Sequence, residues 1–266
     1  MAKKVRVHHF AEKKQAGEPI VMLTAYDAMT AKIFDDAGVD SILVGDSYGT
    51  TMLGYLSTIP VEMSDMCRAT AAVARGAQRP FIIADMPLGA SEVSDAQAVE
   101  NAIALLKAGA EAVKVEGGVA RAHTIRALVD AGINVCGHVG YTPQSINALG
   151  GPRVQGRGDG GYEKLRADAL AVQEAGAFAV VFEMVPEPLA EKITAELTIP
   201  TIGIGAGNVC DGQVLVWTDM AGMTDWQPSF VKRFGEIGEA LRSATETYCA
   251  EVRSRAFPDP DHTFDK

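Results

Sequence analysis

The sequence has few aromatic residues, four cysteines and no long apolar run. Aromatic residues make up 6% of the 266, which argues against the stacking platforms that bind single-stranded nucleic acid. The scattered cysteines form no CxxC pair, so neither a disulfide framework nor a zinc site is expected. No stretch approaches the ~18 apolar residues of a membrane span, and residues 1–19 lack the apolar segment of a signal peptide. We therefore expect a cytoplasmic protein with reduced thiols.

Basic charge is also scarce. The chain has 24 Lys and Arg against 34 Asp and Glu, a net charge of −10, which disfavours nucleic acid and anionic membranes as partners. Residues 1–19 are the exception, because the five basic residues there lie between positions 3 and 14, where the one acidic residue is Glu12. We interpret this segment as an N-terminal arm or helix, and favour a solvated tail over a contact with a partner.

Glycine, in contrast, is abundant, with 27 residues, and part of the excess belongs to a repeated unit. A segment with helical periodicity ends in Ala-Gly and a short apolar run follows it, as at 37–44, 108–113, 131–135 and 175–181. Glycine just after a helix is the residue that turns the chain towards the next element. A short run of apolar residues is typical of a strand that is buried on both faces. Alternation of helices with such strands predicts a parallel α/β sheet.

The number of units favours a closed barrel over an open, doubly wound sheet. Eight strands are predicted, at 20–26, 41–46, 80–85, 112–116, 134–138, 179–184, 200–204 and 214–217. Six helices are predicted between them, at 27–37, 61–76, 94–108, 120–131, 161–175 and 187–196. Eight units in about 250 residues match a single (β/α)₈ TIM barrel, here over residues 20–266. A C-terminal amphipathic helix at 228–256 is expected to cover the barrel or a neighbouring subunit.

Titratable residues end six consecutive predicted strands. After Tyr26-Asp27 on the first strand they are Asp46, Asp85, Lys114 with Glu116, His138 and Glu183. A single acid in such a place is usually a helix N-cap. Six at one rim are harder to dismiss, because charged groups near a core are costly unless they are paired or bind something. In a (β/α)₈ barrel this rim is where active sites form.

The residue types suggest separate roles at the rim. Asp46 and Asp85 offer the hard oxygens that Mg²⁺ prefers, and no Cys/His cluster competes for zinc. Lys114 and Glu116 point to one face of their strand, either as a buried ion pair or, for Lys114, towards a substrate carboxylate. Glu183 lies in an apolar stretch that suits a general acid or base, its alternative role being a structural salt bridge. His138 is either a donor to an oxyanion or a core residue.

The glycine-rich segment Gly203–Gly207 follows the seventh strand, where many barrels bind phosphate. Asn208 replaces the third glycine of a dinucleotide fingerprint, so a dinucleotide site is not expected. Phosphate binding and a simple tight turn both remain open for this segment.

Several motifs in order along the chain resemble the ketopantoate hydroxymethyltransferase family. They include Leu23-Thr24-Ala25-Tyr26-Asp27, Val44-Gly45-Asp46-Ser47, Ala84-Asp85-Met86-Pro87, Lys114-Val115-Glu116-Gly117-Gly118, the stretch from Gly137-His138 to Gln144-Ser145, and Phe182-Glu183-Met184-Val185-Pro186. The likeness runs from about residue 20 to residue 235. It differs at Leu88, Ala90, Pro152, Met184 and Thr218, which are expected near the rim loops and not among the metal or base residues.

The resemblance implies a barrel of the phosphoenolpyruvate/pyruvate type, assembled as a homodecamer. It implies transfer of a hydroxymethyl group from 5,10-methylenetetrahydrofolate to 3-methyl-2-oxobutanoate, through an enolate stabilised by Mg²⁺, giving 2-dehydropantoate for pantothenate biosynthesis. Asp46 and Asp85 would hold Mg²⁺ and the substrate, with Glu116 near the metal through water. Ser47, Lys114 and His138 would bind the oxo acid, and Glu183 would be the catalytic acid or base.

Two other functions stay open on the sequence. One is a folate-independent, Mg²⁺-dependent carbon–carbon lyase or ligase that acts on another 2-oxo acid. The other is a binding or assembly protein without catalytic activity, which the intact set of rim residues disfavours.

Overall fold

The structure, a computed structural model, describes residues 3–264. The chain divides into two compact units, one that ends at Val216 and one that begins at Trp217. One domain over residues 20–266, a barrel with a C-terminal helix, stays a prediction; the eight barrel strands all lie in the first unit.

The first unit is a closed barrel of eight parallel strands, as predicted. Each strand pairs in parallel with the next along the chain, and β8 pairs with β1 to close the ring. The strands are β1 Ile20–Thr24, β2 Ser41–Val44, β3 Phe81–Asp85, β4 Ala112–Glu116, β5 Val135–Gly140, β6 Ala179–Glu183, β7 Thr201–Ile204 and β8 Gly212–Leu215. Apart from Val21, Leu23, Gln213 and the last residue of β5, β6 and β8, every strand residue is buried, which explains the continuous apolar runs.

One helix precedes β1, and the other helices of the first unit lie between strands. They are α1 Val7–Ala16, α2 Ala28–Ala37, α3 Tyr48–Thr51, α4 Met63–Gly76, α5 Asp95–Ala108, α6 Ala122–Asp130, α7 Ile146–Leu149, α8 Gly161–Glu174 and α9 Glu187–Glu196. Gly38 and Gly109 follow α2 and α5 in the left-handed conformation, with φ of 92° and 116°, as the repeated Ala-Gly unit predicts. The short crossover between β7 and β8 contains no helix.

The N-terminal segment is not a solvated tail, contrary to the expectation from its charge. Phe10 on α1 is 1% exposed and packs edge-on against Phe81 and Phe178, which lie where β3 begins and just before β6. The Lys4 ammonium donates to the carbonyl of Pro80 at 2.7 Å and pairs with Glu111 at 2.6 Å. An aromatic anchor and a paired lysine thus fix this segment to the amino-terminal side of the barrel.

The second unit contains the short helix α10, Trp217–Met220, and the long helix α11, Ile237–Ser254. The helix predicted over 228–256 therefore begins too early, because α11 starts at Ile237. The backbone N–H groups of Phe234 and Ile237 donate to the carbonyls of Met220 and Ala221, so the chain before α11 is a loop. Within residues 3–264, no helix is long and apolar enough to cross a membrane.

Candidate active site at the mouth of the barrel

The carboxyl ends of β2 to β6 bring the predicted rim residues together. A cavity of about 100 Å³ opens between them. Its lining includes Asp46, Ser47, Asp85, Lys114, Glu116, His138 and Glu183, every site residue that the sequence predicts. Parallel strands of similar length end at one edge, so residues far apart in sequence meet there.

Lys114 is the central cation of this site. Its ammonium lies 3.1 Å from Asp85 Oδ1 and 3.5 Å from Glu116 Oε1, and the side chain is almost fully buried. Burial favours the neutral amine, but the charges of Asp85, Glu116 and Asp46 outweigh it and raise the pKa of Lys114. The lysine is therefore charged at every physiological pH.

Negative charge nevertheless exceeds positive charge around the cavity. Burial and the repulsion from Asp85 and Glu116 hold the pKa of Asp46 well above its usual range. Burial also raises the pKa of Asp85, although Lys114 opposes it. Four carboxylates share Lys114 and one imidazole, so a divalent cation would relieve the repulsion. The residues present therefore fit a hard metal ion.

The geometry favours few protein ligands for such an ion. Among the described residues, no three of the rim acids and the histidine place ligand atoms within 4.8 Å of one another. The Asp46 N–H donates to Asp85 Oδ2 at 2.9 Å, so these two acids are direct neighbours. Mg²⁺ commonly uses one or two carboxylates and keeps several waters, which agrees with this arrangement.

His138 connects two of the acids across the cavity. Its Nδ1 lies 3.3 Å from Glu116 Oε1 and 3.1 Å from Lys114 Nζ, while its Nε2 lies 3.2 Å from Glu183 Oε2. Burial and Lys114 lower the pKa of His138, but contacts with Glu116 and Glu183 raise it to about 9. Lys114 and His138 also lower the pKa of Glu116, in spite of its burial.

A constrained turn holds Glu183 at the end of β6. Met184, the next residue, has a φ of 50°, which is uncommon for a residue with a side chain. Its N–H donates to the Ile204 carbonyl, and its carbonyl accepts from Gln155 N–H. The Glu183 carbonyl accepts from Tyr141 N–H at 2.8 Å, and a Cβ on Gly140 would lie 2.3 Å from that oxygen. Backbone contacts on both sides therefore fix where the Glu183 side chain begins.

Tyr26 and Ser47 form a hydroxyl pair at the edge of the cavity. Their oxygens lie 2.8 Å apart, and burial raises the pKa of Tyr26 to about 12, although the contact with Ser47 opposes this shift. The phenol is neutral and orients the Ser47 hydroxyl, which itself lines the cavity.

Asp27, although it follows β1 and was predicted at the rim, is a helix cap and not a site residue. Its Oδ1 accepts from the N–H groups of Met29 and Thr30 at 2.8 and 3.0 Å, at the start of α2. We expect Asp27→Ala to lower the free energy of unfolding by about 1 kcal/mol, because two backbone donors lose their acceptor. Urea unfolding measures this loss, and Mg²⁺ affinity should stay at the wild-type value. A change in that affinity would place Asp27 in the site.

Two further residues of the site carry no role in the sequence-based prediction. Thr58, from the segment between α3 and α4, lines the cavity, and its buried hydroxyl has no hydrogen-bond partner within the described residues. Gln144, after β5, is buried and donates to Asp46 Oδ2. Both come from loops, where residue type alone does not indicate position. The motif Thr142-Pro143-Gln144 marks one of these loops but not its contacts.

A different set of possible metal ligands lies on α1, in His8, His9 and Glu12. His9 Nδ1 accepts from the Arg6 N–H at 2.8 Å, so the neutral ring carries its proton on Nε2. That leaves His9 without a free lone pair for a metal. Lys3, Lys4 and Lys13 line the adjacent cavity of about 400 Å³, and their charges oppose a cation. This larger cavity is not a candidate metal centre.

The conformation of the glycine-rich segment after β7 favours a simple tight turn over a phosphate-binding site. Gly205 and Gly207 have φ of 64° and 81°, which a turn requires. A Cβ on Gly207 would lie 2.4 Å from the Glu187 side chain. The chain thus passes close to a carboxylate, which would repel a phosphate.

The fold and this site define a (β/α)₈-barrel protein with a small, acid-rich cavity around one buried lysine at the catalytic end. The chain belongs to the ketopantoate hydroxymethyltransferase family, whose model matches residues 4–260. It is 52% identical over 265 residues to the 3-methyl-2-oxobutanoate hydroxymethyltransferase of Saccharopolyspora erythraea, covering 99% of this chain and 90% of that protein. It is 54% identical over 259 residues to the enzyme of that name from Corynebacterium efficiens, covering 97% and 96%.

Solved structures share the fold at much lower identity. The crystal structure of 2,3-dimethylmalate lyase, from the PEP mutase/isocitrate lyase superfamily, superposes with a TM-score of 0.62 at 16% identity. The alignment covers 97% of this chain and 91% of that one. This likeness confirms the predicted (β/α)₈ barrel fold.

Proposed function

We propose that this protein is an enzyme that transfers a hydroxymethyl group from 5,10-methylenetetrahydrofolate to 3-methyl-2-oxobutanoate, forming 2-dehydropantoate for pantothenate biosynthesis. The observation that carries this proposal is the match over almost the whole chain to relatives named for this activity. The cavity supports it, because it joins hard carboxylate oxygens, a buried cation and a candidate base. All three are needed to bind a small oxo acid beside a metal ion and to remove its proton.

Asp46 and Asp85 would hold Mg²⁺ directly, and Glu116 would approach it through water. The surplus of buried negative charge at these acids supports this choice of ligands. When bound, the metal would withdraw electrons from the keto and carboxylate oxygens of the oxo acid and so make its C3–H more acidic.

Lys114 and Ser47 would hold the oxo acid beside the two aspartates. The buried ammonium offsets the charge of the substrate carboxylate, which would otherwise face several acids. The Ser47 hydroxyl, oriented by Tyr26, offers a further hydrogen bond. His138 would stabilise negative charge at the substrate, since its contacts with Glu116 and Glu183 raise its pKa to about 9 although burial and Lys114 oppose this.

Glu183 would remove the C3 proton of the oxo acid. Its position at the edge of the cavity, with its side chain 16% exposed, leaves an oxygen accessible to substrate, while His138 contacts Oε2. Water would break the two C–N bonds of the folate methylene carbon, which releases tetrahydrofolate and leaves that carbon as formaldehyde. The deprotonated substrate carbon would then bond to the formaldehyde carbon, and the proton held by Glu183 would pass to the new alkoxide oxygen, which becomes the hydroxyl group.

The test is product formation from purified protein. With Mg²⁺, 5,10-methylenetetrahydrofolate and 3-methyl-2-oxobutanoate, we expect 2-dehydropantoate to form, and omission of the folate should abolish it. Absence of product with all three components would exclude the proposed activity. Turnover of the oxo acid without folate would instead favour a lyase or ligase.

Mg²⁺ is expected to stabilise the protein in the absence of substrate. Binding to the folded state alone raises the free energy of unfolding by about 2.7 kcal/mol at 100 times the Kd. Thermal unfolding with Mg²⁺ and with EDTA measures the shift in Tm. The double variant Asp46→Asn, Asp85→Asn should lose the Mg²⁺-dependent part of the shift. A shift of wild-type size in that variant would contradict these ligands.

The enzyme is expected to act as a homo-oligomer in the cytoplasm. Ile237, Leu241, Tyr248 and Val252 on α11 are exposed apolar residues within the second unit, and the four cysteines are free. Analytical ultracentrifugation would distinguish the homodecamer that the family resemblance implies from smaller assemblies.

A further inference from the structure

Gln144 is an uncharged residue that hydrogen-bonds to two carboxylates of the site, Asp46 and Glu116. It lies in the short turn Pro143–Ser145 after β5, and its side chain is buried although the turn belongs to a loop. A buried glutamine is costly unless its amide is hydrogen-bonded. Its contacts therefore show what it does.

The side-chain amide of Gln144 has a fixed orientation. Its Nε2 donates to Asp46 Oδ2 at 2.9 Å and to the Met86 carbonyl at 3.0 Å, which uses both amide hydrogens. Both partners are acceptors, so rotating the amide by 180° would place its oxygen against two other oxygens. One oxygen of Asp46 is thus held in a single direction.

The backbone of Gln144 holds a second carboxylate. Its N–H donates to Glu116 Oε2 at 3.1 Å. Asp46 follows β2 and Glu116 ends β4, and these strands are separated in the barrel by β3. Gln144 therefore spans two acids that like charge would otherwise drive apart.

These contacts close a ring around the site. Gln144 donates to Asp46, Asp46 N–H donates to Asp85, and Asp85 pairs with Lys114. Lys114 pairs with Glu116, which accepts from the Gln144 N–H. Of the contacts in this ring, removing the glutamine amide would break the one between Gln144 and Asp46, because the contact with Glu116 uses the backbone N–H.

We infer that Gln144 is a positioning residue for the Mg²⁺ site, an inference that rests on the function proposed above. By occupying Oδ2 of Asp46, it leaves the other oxygen of that carboxylate to face the ion, and its N–H holds Glu116 in place through Oε2 while Oε1 lies beside Lys114 and His138. Partners of this kind typically account for 10–100-fold in metal affinity, because a ligand that is free to rotate loses entropy on binding.

The variant Gln144→Met tests this inference, because it keeps the side-chain length and the backbone N–H but removes the amide. Isothermal titration with Mg²⁺ alone should show an affinity roughly 10–100-fold below wild type. The Mg²⁺ concentration for half-maximal activity should rise by the same factor, while kcat at saturating Mg²⁺ changes far less. A purely structural role would lower Tm and leave the Mg²⁺ affinity unchanged.

Gln155→Met is the matched control, since that glutamine also lies between β5 and α8 and, among residues 3–264, its side chain donates only to the Arg153 carbonyl. It should bind Mg²⁺ as wild type does. If Gln144→Met does not fold, Gln144→Asn serves instead, because its amide is one methylene too short to reach Asp46. Wild-type affinity in a folded Gln144 variant would overturn this inference alone. A wild-type protein that binds no Mg²⁺ would overturn the metal site and the inference together.

Discussion

Glu183→Gln is expected to lower kcat by roughly 10²–10⁴-fold, the usual contribution of a positioned general base. Glutamine has nearly the same shape and leaves an oxygen or nitrogen beside His138, but it accepts no proton at neutral pH. The exchange of the C3 proton of 3-methyl-2-oxobutanoate in D₂O, followed by NMR with Mg²⁺ and without folate, should slow to a similar extent. Mg²⁺ affinity should persist, because Glu183 is not among the proposed ligands.

The exchange measurement separates the base from a structural partner of His138. If Glu183 only formed a salt bridge, the variant would lose stability, while exchange per folded molecule would continue at the wild-type rate. Glu191→Gln, an exposed glutamate on α9, is the control and should change neither rate. Exchange near the wild-type rate in the Glu183 variant would assign proton removal to another group.

Lys114→Met is expected to be the most destabilising substitution at the site. It leaves Asp85 and Glu116 buried without their cation, and breaking a buried pair in this way typically costs roughly 3–5 kcal/mol. Urea unfolding in EDTA measures the loss. Product formation should also fall to background, because the substrate carboxylate would then face uncompensated acids.

The loss should depend on pH in a defined direction. Without Lys114, the pKa of Asp85 in the folded protein rises further above its unfolded value, so the folded state binds a proton more readily than the unfolded state. The free energy of unfolding of the variant should therefore increase as pH falls. The difference in this free energy between the variant and wild type should become smaller over the same pH change. Lys164→Met is the control, because its ion pair with Asp168 is solvent-exposed on the lysine side and should contribute at most about 1 kcal/mol. A pH-independent difference would contradict the proposed cause.

Much of the barrel could be predicted from local patterns. Each strand is a short apolar run because it is buried on both faces, and Gly38 or Gly109 marks where a helix must turn back. The segment before α11 was predicted wrongly as helix, because its apolar residues have helical spacing while its backbone donors bond to Met220 and Ala221. A periodic pattern does not reveal such long-range acceptors.

The N-terminal segment shows the same limit for charge. Its basic residues suggest solvation, yet Phe10 finds a pocket formed by Phe81 and Phe178, residues far away in the sequence. Burial of one aromatic ring stabilises the segment more than its surface charges favour solvent.

By itself, the sequence determined the low aromatic and cysteine content, the eight-unit barrel, the family and the acids at the strand ends, because strand ends of a parallel barrel share one rim. Only the tertiary structure decided which acid is a helix cap and which lines the cavity, as Asp27 and Asp46 show. Only it decided that Gln144 spans two carboxylates. Hydrogen bonds between residues 98 and 28 positions apart depend on how loops fold over the barrel, and no local pattern encodes that path.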